Sequence, residues 1–219
     1  MLTALTLHCD VSCVNIGRVE KAAYHHGDLK SALVGAAVTV VDEGGPEAVS
    51  LRELAAQLGV SRAAPYRHFA DRDALLAAVA ARGFEDLCAA YEAALASPGD
   101  GLARLREATR LYFDFATRRP GMHRLMFQSD LLERSPVPAV LIGPADRAWR
   151  LLWRAVEGAY PDADAAWVKA RTVTMWSTVY GFLALDGAGR FKPFMTEPLS
   201  HADLVEATVA AAIGEGPRR

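Results

Sequence analysis

Between Glu53 and Asp71 the chain has no acidic residue, yet Arg62, Tyr66, Arg67 and His68 crowd into one short stretch of it. A solvated helix face ordinarily mixes Glu with Lys, so this set calls for a chemical reading. Arg can pair two hydrogen bonds with a guanine edge, Tyr can reach a phosphate or a thymine methyl, and His can donate to a phosphate. The residue types suit a duplex with a charged backbone and a readable groove. Bond-making chemistry finds less support. No Ser/His/Asp, Cys/His or phosphate-loop arrangement stands in a recognisable context, and His123 has no evident acid or nucleophile beside it in sequence. The adjacent pair His25-His26 cannot face one another on a helix and has no Cys or acid at ligand spacing, so no metal site is expected and no cofactor is implied. An N-terminal arm touching the DNA backbone is another use for the pair. His8, Cys9 and Cys13 read as tail residues rather than as a redox or metal switch.

The elements that must position such a row are helical. Leu29, Leu33, Ala36, Ala37, Val40 and Val41 recur at three- and four-residue steps, and Gly44-Gly45-Pro46 ends that first helix. Ser50-Leu51-Arg52-Glu53 has the form of a capping box opening a second short helix striped by Leu51, Leu54, Ala55 and Leu58. Gly59 stops it by supplying the left-handed conformation. Ser61 is expected to open a third helix through about His68, with Pro65 delaying or tightening its start. Asp71 caps a fourth, striped by Leu75, Leu76, Val79, Phe84, Leu87 and Tyr91, and Cys88 on that helix reads as core. Two short helices joined by Leu58-Gly59-Val60-Ser61 make a helix-turn-helix, whose second helix enters the major groove.

Longer helical segments follow near 101–118, 121–133, 139–158, 163–186 and 200–213, split by Arg119-Pro120-Gly121, Ser135-Pro136-Val137-Pro138, Tyr160-Pro161 and Asp186-Gly187. Strand-like alternation and repeats of about 20–50 residues are missing, so the fold class is all-α. The expected domains are a flexible extension at 1–23, a helix-turn-helix head at 24–73, a linking helix at 74–96, and a larger domain at 97–219. A start codon placed too far upstream would also produce a segment like 1–23.

With 219 residues, 52% of them hydrophobic and 23% charged, the chain can bury a core without staples. No run approaches the roughly 18 apolar residues of a membrane span, and Met1 to Leu7 lacks the cationic start and apolar stretch of a secretory signal. Three cysteines are not a disulfide framework, so a cytoplasmic protein is expected. The net charge of −2 selects no partner. From Lys21 to Arg82, seven cations (21, 30, 52, 62, 67, 72, 82) meet seven acids (28, 42, 43, 47, 53, 71, 73), so non-specific DNA affinity should be modest.

Asp28 to Asp73 resembles the DNA-binding domain of the TetR family of bacterial transcriptional regulators. The likeness rests on Ser50-Leu51-Arg52-Glu53-Leu54-Ala55, on Gly59-Val60-Ser61-Arg62-Ala63-Ala64-Pro65-Tyr66-Arg67-His68-Phe69, and on Asp71 with Leu75 and Leu76. Pro65 departs from the Leu more usual in that family. The resemblance implies a homodimer that binds double-stranded operator DNA and a C-terminal domain that binds a small effector. It places Arg62, Ala63, Tyr66, Arg67 and His68 on the recognition helix, Ser50 and Arg52 near the DNA backbone, and Arg72 against a phosphate. Trp176-Ser177-Thr178-Val179-Tyr180-Gly181 is similar to the Trp-x-x-x-His-Gly element of one class of TetR C-terminal domains, with Tyr180 in place of His, so no imidazole role transfers.

Aromatics at helical spacing are usually core. A family with a cavity in this domain makes Phe113, Phe127, Trp149, Trp153, Trp176 and Tyr180 the expected effector-binding set, and suggests an apolar or planar effector. The helix at 163–186 is apolar on two faces, Val168, Thr172, Met175, Val179 and Phe182 on one and Val173, Trp176, Tyr180 and Leu183 on the other. Its second face, with Leu204, Val205, Val209 and Ala212, is expected to meet a second subunit. These features describe a repressor released from a palindromic operator by its effector. An activator, an effector-independent regulator, or a helical ligand carrier or enzyme with a relic helix-turn-helix are the alternatives.

Overall fold

The computed structural model describes residues 29–214, and every regular element among them is helical. The expected extension at 1–23 and the His25-His26 pair lie outside the described residues.

The first helix, α1 (Leu29–Gly44), buries Leu29, Leu33, Ala37 and Val41, as an i, i+4 stripe must. It stops where Gly45 takes φ 84 and returns its N–H to the Val41 carbonyl at 2.9 Å. A 3-10 turn (Pro46–Ala48) leads to α2 (Leu51–Gln57). Ser50 caps α2 through its Oγ, which accepts the Glu53 N–H at 3.4 Å. The other half of the expected capping box does not form: the exposed Glu53 side chain makes no return bond to the Ser50 N–H. A Schellman loop closes α2: Gly59, at φ 68, donates to Ala56 O at 3.1 Å and Val60 donates to Ala55 O at 2.9 Å.

The expected third helix from Ser61 to His68 is instead a turn containing one 3-10 segment, Pro65–Arg67. Pro65 has no N–H to offer the Ser61 carbonyl, which takes the Ala64 N–H at 2.9 Å. The tighter spacing then continues through Arg67 to Ala64 O at 3.2 Å and His68 to Pro65 O at 2.9 Å. Ala64 itself keeps helical angles, φ −62 and ψ −42, so the proline acts by removing a donor rather than by expelling its neighbour.

Asp71 caps α3 (Arg72–Ala96), accepting the Ala74 N–H at 2.8 Å. This helix starts beside the turn and ends inside the larger group of helices, packed against α1 and against α4 (Gly101–Arg118), α5 (Pro120–Phe127) and α6 (Ala139–Ala159). Gly83 lets α5 press close: a Cβ there would lie 2.6 Å from Met126 Sδ and 2.7 Å from Met122 Sδ. The segment expected at 121–133 breaks at Gln128, and Ser129 starts a separate 3-10 turn, Asp130–Leu132. The remaining elements are α7 (Ala165–Gly187), the four-residue α8 (Pro193–Thr196), which carries no sequence signal, and α9 (His201–Ile213), where Ser200 and Asp203 complete a capping box. Tyr160 and Arg171 tie down the end of α9 at the Ile213 carbonyl, Tyr160 from 2.5 Å.

One face of α7 is buried within the chain, through Val168, Thr172, Met175, Val179 and Leu183. Leu183 therefore belongs to this line, while Phe182 is half-buried. On the other face Trp176 and Tyr180 are half-covered, and Val173 and Leu185 remain exposed.

Candidate functional site

The turn after α2 presents its polar side chains outward from an apolar anchor. Pro65 and Phe69 are buried, whereas Arg62, Ala63, Tyr66, Arg67 and His68 are exposed, Tyr66 by 56%. Arg52 is exposed on α2, and Ser50 is half-buried, its Oγ accepting the cap hydrogen bond. Arg72 is part-exposed, with its Nη1 3.9 Å from Asp73, and it also bonds inward. Its Nε donates to Val49 O at 3.0 Å and another guanidinium N–H to Pro46 O, so it braces the entry to α2 from across the head. Lys30, which no sequence signal singled out, has its Nζ 6.0 Å from the centre of the Phe69 ring and borders the same surface.

The head meets the rest of the chain at Arg119-Pro120-Gly121. Arg119 Nε donates to both Asp42 oxygens at 3.0 and 3.1 Å, and its Nη1 donates to Asp86 at 2.7 Å, joining the end of α1 to α3. Its guanidinium also lies over Phe115, 5.5 Å from the ring centre. Gly121 sits directly on the Val41 carbonyl, too close for any side chain. Arg134 adds a second tie, 3.0 Å from Asp73 and 3.1 Å from Asp130.

Within the larger group of helices lies an aromatic cavity of about 170 Å³, walled by Phe84, Tyr91, Tyr112, Phe127, Trp149 and Trp176 together with Leu87, Leu132, Leu152, Ala145 and Ala148. Phe127, Trp149 and Trp176 of the expected effector set line it. Phe113, Trp153 and Tyr180 do not. Phe113 packs edge-on against Phe182 at 5.6 Å, and the Trp153 indole is drawn outward by a 2.6 Å hydrogen bond to Glu157. Tyr180 stacks behind Trp176 at 5.7 Å and faces the His123 ring at 6.1 Å. Sequence reasoning missed Tyr91, which read only as core stripe, and left Tyr112 out of the expected set.

Tyr112 and His123 share a hydrogen bond, 2.9 Å from hydroxyl to Nε2. Burial lowers the His123 imidazole to about 4, so it is neutral at physiological pH, and burial raises the Tyr112 phenol. On the far side of His123 a larger cavity, about 610 Å³, is bordered by Thr117, Pro120, Arg124, Gln128 and Asp186. Among the described residues no group of three or more His, Cys, Asp or Glu could hold a metal, and no helix is long and apolar enough to cross a membrane.

Residues 33–79 match the family described as bacterial regulatory proteins, tetR family, and residues 105–212 match the tetracyclin repressor-like C-terminal domain. The chain is 33% identical over 107 residues to the HTH-type transcriptional activator FasR of Mycolicibacterium smegmatis, covering 49% of this chain and 48% of FasR. It is 35% identical over 103 residues to the nucleoid occlusion factor SlmA of Photobacterium profundum, covering 41% of this chain and 48% of SlmA. The chain thus spans about half the length of the curated relatives it matches. A Rhodococcus sp. RHA1 protein of unknown function superimposes with a TM-score of 0.72 at 28% identity, over 87% of this chain and 96% of that one. PfmR of Thermus thermophilus, a TetR family transcriptional regulator, shares the fold at a TM-score of 0.57 and 22% identity, over 85% of this chain and 99% of that one.

Proposed function

The chain belongs to the TetR family of transcriptional regulators, and on that premise we propose that it is a repressor released from a palindromic operator by a small apolar effector. The observation that carries this reading is the exposed, acid-free row Arg62, Tyr66, Arg67 and His68 seated on buried Pro65 and Phe69. In it Arg62, Ala63 and Tyr66 face base edges, while Arg67, His68 and Arg52 meet phosphates. Ser50 and Arg72 lie near the DNA backbone, Arg72 while also bracing the entry to α2. The reading head is residues 24–73, α3 links it to the core, and residues 97–219 bind the effector and dimerise. Val173 and Leu185 on α7, with the far side of α9, supply the apolar face for the second subunit.

Regulation is linkage. An effector that binds the DNA-incompetent arrangement more tightly must weaken operator affinity by the same factor. The Arg119 and Gly121 junction is the contact through which a shift of α5 reaches α1, and a small rotation there spoils the match to half-sites about one helical turn apart. An activator reading keeps the same head, and the relative named as an activator favours it.

Fluorescence anisotropy on duplexes flanking the chain's own gene tests the reading. One flanking duplex should bind, with log affinity falling as log salt rises, and Arg67→Glu should abolish binding. Equal binding by Arg67→Glu, or no binding by the wild type at low salt, would sink it. Reporter transcription with and without the protein then decides between repressor and activator.

A further inference from the structure

The aromatic cavity has a chemical asymmetry that narrows what it can hold. Its walls are rings and aliphatic chains, and among the described residues no Asp, Glu, Lys or Arg lines it. A ligand charge would be buried there without a counter-ion, a penalty that the site has no means to offset. At about 170 Å³ it is close to the engineered cavity of about 150 Å³ that binds benzene, so it has room for one six-membered ring and a small substituent. Two tyrosines line it, and their hydroxyls differ. That of Tyr112 is engaged by His123 Nε2 at 2.9 Å. The Tyr91 side chain is buried, 4% exposed, and its hydroxyl makes no hydrogen bond to any described residue. Among the described side-chain polar atoms only Arg171 Nε is both fully buried and unpaired, so the unpaired Tyr91 hydroxyl keeps some open surface and can bond a partner that enters.

We propose that this cavity takes an uncharged single-ring ligand bearing one hydrogen-bonding oxygen, of the phenol class, and that the Tyr91 hydroxyl recognises that oxygen. The proposal rests on reading the cavity as the effector site and names the chemistry of that effector. Phe84, Phe127, Trp149 and Trp176 enclose the ring, and the outer wall at Leu132, which is partly exposed, marks the side from which a ligand enters. Burial raises the Tyr91 phenol well above its ordinary value, so the group stays protonated and able to donate across the physiological range.

Isothermal titration of the free full-length protein with 4-methylphenol, toluene and 4-methylbenzoate at pH 7 tests this directly. The phenol should bind, toluene should bind more weakly, and the benzoate should not bind. Tyr91→Phe should weaken 4-methylphenol by about 3- to 10-fold, the loss of one neutral hydrogen bond, and leave toluene unchanged. Ala148→Leu, which fills part of the cavity, should weaken both. Benzoate binding as tightly as the phenol would overturn the proposal, as would Tyr91→Phe binding the phenol like the wild type, Ala148→Leu leaving both ligands untouched, or no binding at all. Anisotropy with bound operator separates the two levels. If 4-methylphenol binds through Tyr91 without releasing DNA, the effector reading fails and the ligand class stands.

Discussion

Gly121→Ala is the sharpest test of how the head is held. A Cβ on Gly121 would overlap the Val41 carbonyl oxygen outright, and would lie 3.1 Å from the Val41 carbonyl carbon and 3.2 Å from Gly45 Cα. Carbon atoms in comfortable contact sit about 3.5–4.0 Å apart, so α5 and the end of α1 must part by roughly half an ångström, and by more to clear the oxygen. Neither side yields by a rotamer change, since both are backbone and the Val41 carbonyl is already fixed by the Gly45 N–H at 2.9 Å. Overpacking of this kind costs about 1–3 kcal/mol, which for a chain of this size lowers Tm by about 2–12 °C. Calorimetry of Gly121→Ala should show that loss, and anisotropy should show weaker operator binding because the head is displaced. Gly35→Ala is the control: its Cβ would meet nothing within 4 Å, and alanine in a helix interior should stabilise by about 0.5–1 kcal/mol. A Gly121→Ala protein melting with the wild type, with an unshifted head, would refute this account of the junction.

Acid should weaken the fold through His123. Its folded value of about 4 lies below the ordinary 6.5, so above pH 6.5 the ring is neutral in both states and the contribution is fully present. As pH falls from 6.5 toward 4 the unfolded chain takes up a proton that the folded chain refuses, and up to about 3 kcal/mol is lost. Urea unfolding from pH 7.5 to 4.5 should show a flatter decline for His123→Gln than for wild type, and parallel curves would count against the buried neutral imidazole. Asp71→Ala removes the acceptor of the Ala74 N–H and should cost about 1 kcal/mol in urea unfolding, with Asp71→Ser recovering most of it. An unchanged midpoint for Asp71→Ala would mean the cap contributes nothing.

Much of the architecture was legible because the chain marks its own stops. Gly44-Gly45-Pro46, Ser97-Pro98-Gly99 and Arg119-Pro120-Gly121 each end a helix in the structure where turn chemistry requires it. The reading turn was legible as a constellation but not as a conformation. Pro65 removes one hydrogen bond, and whether a short helix survives that loss depends on packing around Phe69 that spacing does not disclose. Arg72 illustrates the same limit. The resemblance places it against a phosphate, and spacing gives no sign that the Pro46 and Val49 carbonyls, distant in sequence, also take two of its donors. The cavity was half legible, because i, i+4 spacing fixes a helix face without naming its neighbour. Trp149 and Trp153 share a face of α6, but Glu157 turns one of them away. Tyr91 fitted the core stripe of its helix, and only the assembled bundle brings it and Tyr112 to one cavity.

The most direct test of the central claim is selection from a random duplex pool, run at two salt concentrations with the wild type and a Tyr66→Ala, Arg67→Ala double variant. A palindromic site should be enriched by the wild type and not by the variant. Enrichment of no site, or of the same site equally by both proteins, would contradict it.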